Sequence, residues 1–244
     1  MQKNQKPRTI YEDDEIIVVN KPSGMLTIPD RYDKSLVSLY ETFNAKYGKI
    51  FIVHRLDRDT SGIVLMAKNA TSHRHISLQF QHNTASKLYH VLVHGILEQD
   101  NLDIDIPIAA NPRKKGEMIP TARGKESLTQ LKVLERFRNA TFIECNLVTG
   151  RQHQLRVHCA AIGHPLLVDP IYGANSEFKL SDIKRRYNLK KNTEEIPLLA
   201  RLSMHAYSLT IEHITLAKHI TFTAEEPKDF MAALQVLRKY AAVR

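Results

Sequence analysis

"HRLDRDTSGIVLMAKN", residues 54–69, sets a histidine and four alternating charges directly before an apolar run. The residues just upstream, "IFIVH" at 50–54, and those downstream, "GIVLMAK" at 62–68, both read as buried strand. The polar segment is therefore a connection between two core strands. Asp59 to Gly62 is ordinary turn chemistry, with Asp59 able to cap the turn through its own side chain. That account leaves His54, Arg55 and Asp57 at the end of an apolar strand without a structural purpose.

Outward from this stretch, "EIIVVNK" (15–21) is a β-branched strand stopped by Pro22, Ser23 and Gly24. "DKSLVSLYETFNAKYG" (33–48) places Leu36, Leu39, Tyr40 and Phe43 at helical spacing and ends in Gly48. Residues 71–83 read as a helix with irregular apolar spacing. "SKLYHVLVHGIL" (86–97) alternates with period two, so it is a strand, and Tyr89 lies inside it. The Pro-, Gly- and cation-rich stretch 106–127 reads as a long ordered loop or hairpin. "SLTQLKVLERF" and "NATFIECNLV" follow as a strand pair turning at Arg138–Asn139. "GRQHQLRVHCAAIGHP" (150–165) gives a short helix closed by Gly163. Residues 174–197 form a polar, basic insertion that leaves a small helix and a mobile loop both open. "RLSMHAYSLTI" and "HITFTA" are a second strand pair, and Pro227 opens a final helix with Phe230, Leu234 and Leu237 on one face. The class is α+β, with a mixed, largely antiparallel sheet and flanking helices.

At 244 residues the chain can bury a sizeable core, as one large domain or two packed halves, and 43% hydrophobic against 25% charged residues is a globular balance. No apolar run approaches the roughly 18 residues of a membrane span, and "MQKNQKPRTIYEDDE" lacks a signal peptide's apolar middle. A cytoplasmic protein without membrane contact is expected. Cys145 and Cys159 have neither disulfide nor zinc-site spacing and read as core residues. The net charge is +9, and residues 121–190 alone carry 12 basic and 6 acidic groups. A field concentrated like that favours a polyanionic partner, although a solvated basic face would look the same.

A second polar cluster, Arg151, Gln152, His153, Gln154, Arg156 and His158, falls on the first turns of the 150–165 helix. Cations there oppose the helix dipole, so an acidic side chain or a phosphate should offset them. One economical pairing is Arg156 with Asp57, which would hold the carboxylate ionised and aimed, as nucleophile or base. His153 and His158 are five residues apart, which points them to different sides of a helix and argues against a metal. Glycine-rich phosphate loops and a serine nucleophile elbow are missing, so no cofactor is implied.

Taken together, "VVNKPSGMLTIPDR", "HRLDRDTSGIVLMAKN", "KLYHVLVHG" and "TGRQHQLRVHCAAIGHPLLVDPIYG" resemble, in order, the motifs of the RluA-type pseudouridine synthase family, from about Tyr11 to about Ala224. The resemblance implies the pseudouridine synthase fold with a central active-site cleft, and a cofactor-free isomerase that turns uridine into pseudouridine in structured RNA. By motif, Asp57 is the catalytic aspartate, Tyr89 lies against the target base and Arg156 salt-bridges Asp57. Arg55 resembles the arginine that helps take the place of the flipped nucleotide, and Arg151, His153 and Gln154 are expected on the RNA. With about ten residues ahead of the first motif, the chain resembles the short branch without an S4-type domain. The expected organisation is an extension over 1–10 and one catalytic domain over 11–244, acting as a monomer on rRNA or tRNA and not on DNA. Two rivals differ in what they require. An RNA-binding protein without turnover would not need Asp57, and a metal-dependent nuclease would need a metal.

Overall fold

The computed structural model describes residues 6–184, 187–188 and 193–243, and the chain forms two compact units, Met1–Leu88 with His205–Glu225 and Tyr89–Met204 with Glu226–Arg244. In the first unit, β1 (Arg8–Glu12) pairs antiparallel with β2 (Ile16–Lys21), with a register shift between Thr9 and Tyr11. Ile16 to Val19 are all fully buried, which is what four consecutive β-branched residues require of a central strand. β1 takes in part of the expected extension, and its residues, none of them buried, suit a sheet edge.

Helix α1 (Leu39–Tyr47) starts three residues later than Leu36 suggests, because Ser38 and Glu41 form a reciprocal capping box that fixes its first turn. β3 (Phe51–Ile52) is a short addition to β4 (Ser61–Ala67), whose seven residues are all buried. Helix α2 (Ala70–Gln81) is capped by Asn69, which accepts from Ser72 N at 2.9 Å. The chain leaves the unit inside β5 (Ser86–His94). β4 pairs antiparallel with β2 and parallel with the returning strand β11 (Met204–His213), which forms a hairpin with β12 (Lys218–Thr223). Ile16, Val18, Ile63, Leu65, Ile76, Leu209, Ile211 and Phe222 fill the core between this sheet and α2.

Gly62 sits where β4 meets β11. Its φ is +122°, and a Cβ there would lie 2.2 Å from the carbonyl oxygen of Ala206. Gly62→Ala should therefore destabilise the protein by about 2 kcal/mol or more through backbone strain and strand separation. Denaturant midpoints of the two proteins test this, and overlapping unfolding curves would refute it.

The second unit carries β6 (Asn101–Asp105), the hairpin β7 (Ile108–Ala110) and β8 (Met118–Pro120), β9 (Leu128–Arg136), β10 (Ala140–Leu147), α3 (Gln154–Ala161) and α4 (Lys228–Tyr240). Its strands lie in the order β5, β10, β9, β6. The 106–127 stretch resolves into the hairpin alternative, with its basic tip between β7 and β8. α4 packs Phe230, Leu234 and Leu237 against Phe142, Leu92 and Phe137. Pro227 is its cap residue, and Arg201 donates from Nε and Nη2 to the two carboxylate oxygens of Asp229 in the first turn, each at 2.8 Å.

Among its described residues, the basic insertion holds a 3-10 turn at Leu180–Asp182. It is pinned by Phe178, Ile183 and Leu199, all buried in the core. Residues 185–186 and 189–192, which carry much of its charge, lie outside the described residues. Cys145 and Cys159 are buried, and burial raises both thiols, that of Cys159 to about 12. No helix among the described residues is long and apolar enough to cross a membrane.

Candidate active site

In the first unit, the segment around Asp57 is laced to the loop after β2. Lys21 is fully buried, so its ammonium must be satisfied inside the protein. It donates to the carbonyls of Pro22, Met25 and Arg58 at 3.0, 2.8 and 3.0 Å. The Thr27 hydroxyl donates to Leu56 O and accepts from Leu56 N, Gly24 N donates to Arg58 O at 2.9 Å, and Ser23 donates to Asp59 O. Leu56, Arg58 and Asp59 are thus all held by backbone bonds. The half-buried Asp57 between them also accepts at its carbonyl from Thr60 N. Arg55 is exposed.

The neighbours of this loop are fixed as well. His54 Nε2 accepts from Leu65 N at 3.0 Å, and its ring stacks on Phe80 at 4.7 Å. Burial, aided by the charge of Lys87, pushes the His54 pKa down to about 3, so the ring stays neutral. Burial likewise brings Lys87 down to about 8. The fully buried His205 stands 3.1 Å from Ala224 O through Nε2 and 2.9 Å from Ser61 Oγ through Nδ1. A neutral ring can satisfy both only by donating from Nε2, which leaves Nδ1 to accept from Ser61.

In the second unit, Arg151, His153, Gln154 and Arg156 lie at the start of α3, and Tyr89 lies on β5. Gln154 is 1% exposed. Its oxygen accepts from Thr149 Oγ1 and Arg151 N, and its nitrogen donates to Leu128 O and Thr129 Oγ1. The amide's hydrogen-bonding capacity is spent on holding the 149–151 turn. Arg151 is exposed, with Nε on Glu126 O. His153 caps α3 in the left-handed region, φ 53°, an uncommon place for a non-glycine residue, and its side chain makes no capping bond to the helix. His158, whose pKa burial lowers, lies 2.9 Å from both Ile106 O and Thr129 Oγ1 and is built into the frame. Tyr89 is buried on β5.

Arg156 is 4% exposed, and its partner in this unit is one the sequence did not single out. Nε and Nη2 each lie 2.7 Å from an oxygen of Asp169, a bidentate pair with a fully buried carboxylate. Burial alone would raise the Asp169 pKa. The Arg156 bonds and charge, with the N–H groups of Ile171 and Tyr172, outweigh it and hold the carboxyl below its ordinary value. This is the anion that the cations at the start of α3 called for. The Arg156 guanidinium also lies over the Tyr172 ring, 4.9 Å from its centre.

The match to known proteins follows these elements. A family model described as RNA pseudouridylate synthase matches residues 15–161, which take in the Asp57 loop, Tyr89 and α3. The chain belongs to this family. It is 37% identical over 243 residues to an uncharacterized RNA pseudouridine synthase of Aquifex aeolicus, covering 95% of this chain and 73% of that protein. It is 33% identical to ribosomal large subunit pseudouridine synthase D of Pseudomonas aeruginosa, over 94% of this chain and 71% of the relative. The solved structure of human RNA pseudouridylate synthase domain containing 1 superposes with a TM-score of 0.70 at 26% identity, covering 93% of this chain and 87% of the other. This RNA pseudouridine synthase is thus an isomerase that converts uridine to pseudouridine in RNA, built on the mixed, largely antiparallel sheet anticipated from its sequence. Among the described residues, no group of three His, Cys, Asp or Glu side chains is placed to hold a metal ion.

Proposed function

We propose that this pseudouridine synthase acts on structured rRNA or tRNA as a cytoplasmic monomer, through a single catalytic domain over residues 11–244, with Asp57 as its catalytic carboxylate. A uridine buried in a stack cannot be reached, so it is flipped out, and Arg55 helps fill the place it leaves. The C1'–N1 bond breaks, the uracil turns while held, and C5 bonds to C1'. The C5 hydrogen leaves as a proton and N1 gains one, so the product is an isomer. Asp57 removes a sugar proton on the way and returns one to the same carbon when C5 bonds to C1'; attack on the sugar or on the base are the other routes open to a carboxylate. Tyr89 stacks on the base, a contact of roughly 1 to 3 kcal/mol for an aromatic platform.

The observation that carries this reading is the paired fixing of an aspartate segment and an arginine fork. Lys21 and Thr27 hold the backbone around Asp57, and Asp169 holds one edge of Arg156. Arg151 and His153 meet the RNA, while Gln154 serves them from behind, through the Arg151 backbone. Such a mechanism calls for no cofactor or metal, and tritium release from RNA labelled at C5 of uridine, measured with and without chelator, tests the whole scheme. Dependence on metal, or shortened RNA, would favour hydrolysis instead.

The exposed tip of the β7–β8 hairpin, Arg113, Lys114 and Lys115, adds a cationic flank for phosphates. Replacing all three by alanine should reduce the slope of log Kd against log salt by about 2. Fluorescence anisotropy with labelled RNA checks this, and an unchanged slope would remove the hairpin from the interface.

A further inference from the structure

The turn after α3 is tied more closely than a surface connection requires. Asp169 accepts at Oδ1 from Ile171 N and Tyr172 N, its carbonyl accepts from Gly173 N at 3.0 Å, and its own N–H donates to Asn175 O at 3.0 Å. Gly173 is needed here, because a Cβ would come within 2.9 Å of the Asp169 carbonyl oxygen. The carboxylate and the tyrosine are thus locked to each other before either meets α3.

Tyr172 makes three contacts from this fixed base. Its ring lies under the Arg156 guanidinium, its hydroxyl accepts from Met118 N on β8 at 2.7 Å, and the same oxygen is 2.8 Å from His153 Nδ1. Burial raises the phenol's pKa, so it keeps its proton. Met118 N can only donate, and the hydroxyl joins His153 Nδ1 whichever of the two supplies the hydrogen. One side chain therefore links the basic hairpin, the left-handed cap of α3 and the arginine.

We propose that Tyr172 and Asp169 are positioning residues of the isomerisation: the phenol ties the RNA-contacting hairpin and His153 to the turn that fixes Arg156. The proposal rests on the reading that Arg156 acts beside Asp57. It separates two effects of one residue, since the hydroxyl serves RNA seating and the ring serves the arginine.

Tyr172→Phe keeps the ring and loses the hydroxyl, whereas Tyr172→Leu loses both. Both are assayed by tritium release from C5-labelled RNA of cells lacking the gene, with melting curves to count folded enzyme. Tyr172→Phe is expected to raise KM about fivefold or more with kcat within about twofold, and Tyr172→Leu to lower kcat about tenfold further. A purely structural tyrosine would lower the melting temperature and leave KM and kcat per folded molecule unchanged, which would overturn the proposal. If Tyr172→Leu does not fold, the Phe variant decides alone, and an unaltered KM there overturns it. Asp57→Asn is run alongside. Turnover in that variant would remove the underlying site reading and the proposal with it, whereas a dead Asp57→Asn beside kinetically silent Tyr172 variants would overturn positioning only.

Discussion

Asp57→Asn should release no measurable tritium from C5-labelled RNA, a loss of roughly a thousandfold or more if its carboxylate acts as proposed. It should still bind RNA nearly as well as the parent protein. The substitution is isosteric, and it leaves in place the bonds made to the loop's backbone: Thr60 N to Asp57 O, Lys21 Nζ to Arg58 O and Thr27 to Leu56. Binding rests on cations, which asparagine leaves untouched. The pair of measurements separates an enzyme from a protein that only holds RNA. Residual turnover within about tenfold of wild type would take Asp57 out of the chemistry, because an amide cannot serve as a base. Loss of binding together with turnover would show instead that the carboxylate organises the loop.

How much of this was legible beforehand depended on what kind of interaction fixed each element. β2 and β4 were plain in the sequence because a strand buried on both faces must be apolar throughout. α4 was plain because Phe230, Leu234 and Leu237 share one face. β6 was not read, since "NLDID" places acids on the exposed side of an edge strand and only Ile104 is fully buried. The insertion over 174–197 looks like surface in the sequence, yet Phe178 and Ile183 within it and Leu199 just beyond it sit in the core. Three apolar residues scattered among charges carry no periodicity. Asp57 stands out in the sequence as a charge at the end of an apolar strand, and Arg156 as one of several cations on the first turns of a helix. Asp169 and Tyr172 do not, because their contact with Arg156 depends on a turn 13 residues away whose geometry is set by Gly173 and Asn175. Gln154 shows the opposite error. Its amide looks available in the sequence, but it is consumed in bracing the turn before α3.

Breaking the Arg156–Asp169 pair should be the most destabilising change in the second unit. With Arg156→Met, a fully buried carboxylate loses its bidentate partner and keeps only the two N–H donors of the turn. Removing one member of such a pair costs about 3 to 5 kcal/mol, which for a chain of this size lowers the melting temperature by roughly 10 °C. Turnover should vanish too if the same guanidinium holds Asp57. Arg156→Lys tests the geometry apart from the charge: an ammonium cannot form the two-point fork, so activity should be lost while part of the stability returns. The pH dependence follows from the depressed Asp169 pKa. The carboxyl is ionised in the folded protein where the unfolded chain begins to bind a proton, so its contribution is complete above the ordinary carboxylate value. That contribution is lost as the pH falls through the lowered folded value. Without Arg156, burial dominates and the Asp169 pKa moves up, so the variant is most handicapped near neutrality. The gap between the two proteins should close in acid. Melting curves from neutral to acid pH measure that gap, and a gap of constant size, or none at pH 7, would mean that the fork is not what stabilises this turn.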